Sequence, residues 1–131
     1  MITLQINDFS LDPLVLGEMI KLRVAFARDG IEPNGRCTTM SNALEKNCKN
    51  NPLIPEAIKA LGGSIIVGDG TAIQPHTWCE TESDTILDIA GDQFTRCQSA
   101  GMQELKLPAI RVLHRDSEDA KEYLLGLSKL V

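Results

Sequence analysis

The chain reads as an α+β protein: helices first, then an antiparallel sheet, then one closing helix. Three observations predict this. A capped, amphipathic helical run occupies residues 12–28. Short β-rich runs separated by turn residues follow residue 63. The two kinds of segment are segregated rather than alternating, which argues against a βαβ fold with a parallel sheet.

Residues 2–6 (ITLQI) alternate like a short strand. Asp12 followed by Pro13 is the pairing of an N-cap with a first helical position, and opens a helix running to about Arg28. Leu16, Met19, Leu22 and Phe26 recur at helical spacing and form its apolar face. Asp29-Gly30 stops it. Asn34 is the expected N-cap of a second helix, whose Cys37, Met40, Ser41, Leu44 and Cys48 share one face. Residues 47–52 break that helix. A third is expected from Pro55 to about Leu61, closed by Gly62-Gly63. SIIV (64–67) is β-rich, and GDG (68–70) turns the chain. Residues 76–81 and 85–90 read as two arms of a hairpin around Glu82-Ser83-Asp84, and LPAIRVLH (107–114) as a further strand. Asp116 or Ser117 caps a last helix with Ala120, Tyr123, Leu124 and Leu127 turned inward.

At 131 residues the chain is expected to be one domain, 1–131. A chain of this size buries roughly two-thirds of its unfolded surface, so its core requires no metal or disulfide. The net charge of −5, with no basic cluster, argues against nucleic acid or an anionic membrane as partner. The N-terminus lacks a basic segment followed by an apolar run, and no apolar run approaches a membrane span. The expected location is the cytoplasm, or outside the cell by a route that needs no signal peptide. Cys37, Cys48, Cys79 and Cys97 form no CxxC pair, and a reducing compartment disfavours disulfides.

The chemistry centres on Cys37. A thiol is nucleophilic as its thiolate, and a helix N-terminus or a neighbouring imidazolium lowers its pKa. The histidines are His76 and His114. His114 ends a strand beside Arg115 and Asp116, where a surface or capping role is expected. On their strand, His76, Trp78 and Glu80 face one side, and Thr77 and Cys79 the other. If the hairpin turns about Glu82, Asp88 lies directly across from His76 on the same face, within reach of its ring N–H. Asp88 would fix the tautomer and stabilise the imidazolium, the task of the third member of a triad. Asp92 competes for that task, but it lies past the strand end, where a turn or cap role is expected. An oxyanion hole needs the Cys37 backbone N–H and one more donor, with Asn34 the candidate and the Gln93 amide also able to aim at the site.

Zinc is the alternative chemistry of these residue types. His76 and Cys79 are separated by two residues, and Cys37, Cys48 and Cys97 could complete a set, but the spacing fits no finger or ribbon. On a strand, His76 and Cys79 would also face opposite ways. The expectation is therefore no metal and no cofactor. LGG and VGDG lack the phosphate-loop pattern.

The segments GRCTTMSNAL, PHTWCE and ILDIAGDQF, within about residues 34–94, resemble small bacterial proteins of the papain-like and transglutaminase-like superfamily. There, a cysteine at a helix start is followed by an H-x-W strand, then by an I-D-x-T or L-D-x-T strand with a nearby Q-F. The likeness implies a papain-like α+β domain whose nucleophile helix packs on a small antiparallel sheet. It implies Cys37 as nucleophile, His76 as base and Asp88 as orienting acid. Trp78 matches the aromatic beside the histidine, and Gln93-Phe94 match the terminal pair. Two positions depart: Ala90 stands where many relatives have Thr, and Cys79 where Val or Asn is usual. The superfamily includes peptidases, amidases, glutamine deamidases, transglutaminases and acyltransferases, and some members are bacterial effectors or toxins. The implied partner is a protein, peptide or other amide substrate, attacked through a thioester intermediate. The alternative is a catalytically inactive relative acting as a binding module.

Overall fold

The computed structural model describes residues 2–33, 35–67, 72–92 and 108–124. Asn34, Gln93, Phe94, Cys97 and Leu127 lie outside them, as do the GDG turn at 68–70 and Leu107. Among the described residues, five strands and three helices follow in the order β1 (Leu4–Ile6), α1 (Pro13–Arg28), α2 (Cys37–Lys49), β2 (Ile58–Val67), β3 (Ala72–Thr81), β4 (Thr85–Asp88), β5 (Ile110–His114) and α3 (Glu118–Tyr123). The strands form one sheet in the order β1-β5-β4-β3-β2.

α1 begins and ends where its punctuation predicts. The Asp12 side chain accepts from Leu14 N at 2.9 Å, Pro13 occupies the first turn, and Gly30 takes a φ of 74° beyond the C-cap. The N-cap of α2 is Arg36, two residues later than expected, so Cys37 is the first residue of the helix. Met40, Ser41, Leu44 and Cys48 are its buried residues, as its periodicity requires. Ser117 caps α3 by accepting from Ala120 N at 3.2 Å.

Two expectations are corrected. Residues 58–61 belong to β2 and not to a helix. Lys59, Ala60 and Leu61 favour a helix locally, but ten consecutive residue pairs with β3 override that preference. The sheet is also mixed rather than antiparallel: β1 pairs parallel with β5, while the remaining neighbours are antiparallel. β1 and β5 come from opposite ends of the chain, so no hairpin dictates their direction.

Side-chain alternation splits the core between the two sheet faces. Cys79, Leu87, Ile110 and Val112 pack with Val15 and Met19 of α1 and Met40, Leu44 and Cys48 of α2. Trp78, Ile86 and Leu113, one residue along each strand, pack with Ala120, Tyr123 and Leu124. The first two helices therefore cover one face and α3 the other. Trp78 fixes the spacing of β2 and β3: a Cβ built on Gly63 would lie 2.1 Å from its Cη2 atom. No helix of the described residues is long and apolar enough to cross a membrane.

Candidate active site

The hairpin of β3 and β4 turns through Glu82, Ser83 and Asp84, with Asp84 at a φ of 64°. A three-residue loop ending in a left-handed residue is a common hairpin geometry. It pairs Cys79 with Leu87 and Glu80 with Ile86. Continued one residue, that register puts Asp88 across from Trp78, two residues from the expected partner His76. A slip of two leaves every side chain on its expected face. His76 and Asp88 therefore meet diagonally. His76 Nε2 donates to Asp88 Oδ2 at 2.6 Å, with both side chains fully buried.

Asp88 is held from every side. Its Oδ1 accepts from Ala90 N at 2.9 Å, and its Oδ2 also accepts from the Tyr123 hydroxyl of α3. Arg111 of β5 is its ladder partner, and the Arg111 guanidinium carbon lies 4.0 Å from the centre of the Tyr123 ring. Asp92, the competing carboxylate, is committed elsewhere: Arg23 of α1 grips both its oxygens at 2.8 and 2.9 Å. The same guanidinium donates to the carbonyls of Ile89 and Ala109 at 2.9 and 3.1 Å, tying α1 to the strand ends that carry the site.

Cys37 approaches from the other sheet face. Thr38 and Thr77 join hydroxyls at 2.9 Å, and Ser41 Oγ donates to the Thr77 carbonyl at 3.1 Å. These bonds fasten the start of α2 to the residue after His76. His76 lies beyond the last β3–β4 pairs, at the end of that ladder, so its ring can meet both Asp88 and Cys37. With Nε2 on Asp88, Nδ1 is the ring nitrogen left for the thiol. The Thr77 N–H and hydroxyl also act on the sulfur.

The electrostatics follow from these contacts. Half-burial raises the Cys37 thiol, but hydrogen bonding and charge from His76, with the two Thr77 groups, outweigh it and lower the pKa to about 7. Burial depresses His76, but the charge and hydrogen bond of Asp88, then Cys37, carry it up to about 10. Burial raises Asp88, and the His76 charge and hydrogen bond, the Tyr123 hydroxyl and the Ala90 N–H more than offset it, leaving the carboxyl below its usual range. Between the two site pKa values the pair is thiolate and imidazolium.

The remaining residues of the sequence reading fall as follows. Trp78 is fully buried, stacked on His76 with ring centres 6.2 Å apart, so it packs behind the histidine and is not exposed. His114 is exposed and its Nδ1 accepts from Asp116 N at 3.1 Å, a turn contact. Cys79 donates to the Ser41 carbonyl at 3.3 Å on the face opposite His76, and burial pushes its thiol far up. Cys48 is pushed up to about 11 by burial and by the charge of Glu18. No group of three or more metal-ligating side chains occurs among the described residues.

Periodicity alone did not single out Thr77, Tyr123 or Arg111 as site residues. Arg111 carried a signal: a charged residue amid the apolar run of β5 needs a buried partner. Comparison with protein-family models, with curated proteins and with solved structures finds no match to this chain.

Proposed function

We propose that the protein is a cysteine hydrolase or acyltransferase acting on amides, of the peptidase, amidase, deamidase or transglutaminase kind, related to the papain-like and transglutaminase-like enzymes. The observation that carries this reading is the single file of Cys37, His76 and Asp88, with the His76–Asp88 bond of 2.6 Å buried at its end.

The chemistry follows from the atoms available. The Cys37 thiolate attacks the amide carbonyl carbon, and the carbonyl oxygen takes the negative charge. The Cys37 N–H, at the first position of α2, is the backbone donor that would receive this charge. As the C–N bond breaks, the leaving nitrogen takes the proton from His76 Nδ1, and a thioester remains on Cys37. Water or an amine then gives a proton to Nδ1 and attacks the thioester, and the sulfur leaves as thiolate. Asp88 keeps Nε2 protonated throughout, which aims Nδ1 at the sulfur.

The test is the rate of iodoacetamide alkylation at Cys37 against pH, read by mass spectrometry. The native rate should reach half its plateau near pH 7. In His76→Ala the midpoint should rise to the ordinary thiol value of ~8.5 or above, which lowers the rate at pH 7 roughly tenfold or more. Cys48 and Cys79, both buried, are internal controls and should stay unmodified in the folded protein. A native Cys37 that reacts as an ordinary thiol, indifferent to His76→Ala, would overturn the triad and leave a binding module as the better reading.

A further inference from the structure

We propose that Tyr123, backed by Arg111, is a positioning residue that sets how strongly Asp88 holds His76, so that α3 governs the reactivity of a nucleophile on the opposite face of the sheet. The inference rests on the triad reading and extends it beyond the three residues.

The geometry is specific. Asp88 has two oxygens and three buried hydrogen-bond donors. Oδ1 is taken by Ala90 N, while Oδ2 is shared between the His76 ring and the Tyr123 hydroxyl. Two donors on one oxygen divide its charge, so whatever strengthens one bond weakens the other. Tyr123 is also edge-on to the His76 ring, with centres 6.4 Å apart and planes at 73°, so it limits where that ring can tilt. Arg111 lies over the other side of the phenol, which brings a cation against the donor. Its Nη1 donates to Gln5 of β1, while its Nε has no partner among the described residues. The file Arg111, Tyr123, Asp88, His76, Cys37 therefore runs from β5 through α3, β4 and β3 to the half-buried start of α2. Its charges alternate about the neutral phenol and sum to zero when Cys37 is thiolate and His76 imidazolium. Among the described residues, two further ionisable groups lie beside this file: Cys79, on the other sheet face but within electrostatic reach of Asp88, and Glu80, which accepts from Trp78 Nε1 at 3.3 Å and is paired by Arg115 at 3.0 Å.

A merely structural tyrosine would act through stability alone. A tuning tyrosine predicts opposite shifts from a weaker and a stronger donor. The chain carries one Tyr and one Trp, so each ring reports without interference. Trp78 stacks on His76, and an imidazolium quenches an adjacent indole. Its fluorescence against pH therefore reads the His76 proton, with His76→Ala as the blank.

Tyr123→Phe removes a donor, concentrates the Oδ2 charge on His76, and should move the fluorescence midpoint up by about half a pH unit or more. Global 3-fluorotyrosine replaces only Tyr123 and makes it a stronger donor, so the midpoint should move down. The fluorotyrosine protein keeps every side chain in place, so it remains informative even if Tyr123→Phe fails to fold. Midpoints unchanged in the folded fluorotyrosine protein, or moved the same way in both forms, would overturn the inference. If native Cys37 is activated and His76 titrates high, that result leaves the triad standing. If the native protein shows no His76 step, both readings fall together.

Discussion

Asp88 carries more of the site than its single bond to His76 suggests. It is the largest influence raising His76, and His76 is the largest influence lowering Cys37. Asp88→Asn keeps the shape and can still accept from Nε2, but it removes the charge that stabilises the imidazolium. His76 should then be neutral at pH 7, and Cys37 should lose its cationic neighbour. The expected result is a fall in iodoacetamide reactivity at pH 7 of about tenfold, with Trp78 fluorescence losing its high-pH step. An Asp88→Asn protein that alkylates at the native rate would assign the activation to Thr77 and the helix terminus instead. The choice of Asp88 over Asp92 was legible in the sequence because Asp88 falls within the strand, on the face of His76 under any even register, whereas Asp92 lies past the strand end. The Arg23 clamp on Asp92 was not, since it joins α1 to the turn beyond β4 across 69 positions and no local pattern encodes such a pair.

At the scale of elements, the adjacent glycines of β2 give a paired prediction. A Cβ at Gly63 would meet Trp78 at 2.1, 2.9 and 3.1 Å, whereas one at Gly62 meets nothing within 4 Å. The Trp78 ring is fully buried between β2 and α3 and cannot yield without disturbing His76 behind it. Gly63→Ala should therefore cost about 1–3 kcal/mol by urea denaturation and alter the Trp78 emission. Gly62→Ala should lie within about 0.5 kcal/mol of native. Equal effects at the two positions would mean that Trp78 does not fill the space above Gly63. These glycines also explain what the sequence concealed. Gly62-Gly63 after Leu61 has the form of a helix C-cap, and pairing along β3, with the Trp78 ring over Gly63, makes it mid-strand. Strand type and face were legible from alternation in residues 76–81 and 85–88. The extent of β2 depended on a partner strand, as did the parallel pairing of β1 with β5.

Over the whole molecule, the site leaves a signature in stability against pH. A folded pKa above the unfolded value contributes stability below the unfolded pKa, and that contribution is lost as pH rises through the folded value. His76, raised from 6.5 to about 10, is such a group. Cys37 has the opposite sign: lowered from 9.0 to about 7, it contributes stability above its unfolded pKa that is lost as pH falls toward 7. From pH 7, where Cys37 is half ionised, to pH 8.5 the folded protein releases the rest of the Cys37 proton and keeps the one on His76. The unfolded chain has released the His76 proton and kept the one on Cys37. The proton counts match, so the two contributions cancel and the site imposes almost no slope. Cys37→Ala removes one side of that balance. The unfolded variant then binds fewer protons than the folded one across the window, and its stability should fall with rising pH by up to about 1.4 kcal/mol per unit. Cys48 and Cys79, with thiols raised by burial, weaken both proteins equally as pH nears 9 and drop out of the comparison. Urea midpoints at pH 7.0, 7.7 and 8.4 for the native chain and Cys37→Ala make the test. Parallel lines would mean that folding leaves the proton on Cys37, and the sulfur would then be a thiol at neutral pH. Diverging lines, flat for native and falling for the variant, would place a preformed thiolate–imidazolium pair in the resting protein. Such a pair is stabilised by the fold before any substrate arrives, and it couples the energetics of the whole chain to the reactivity of one atom.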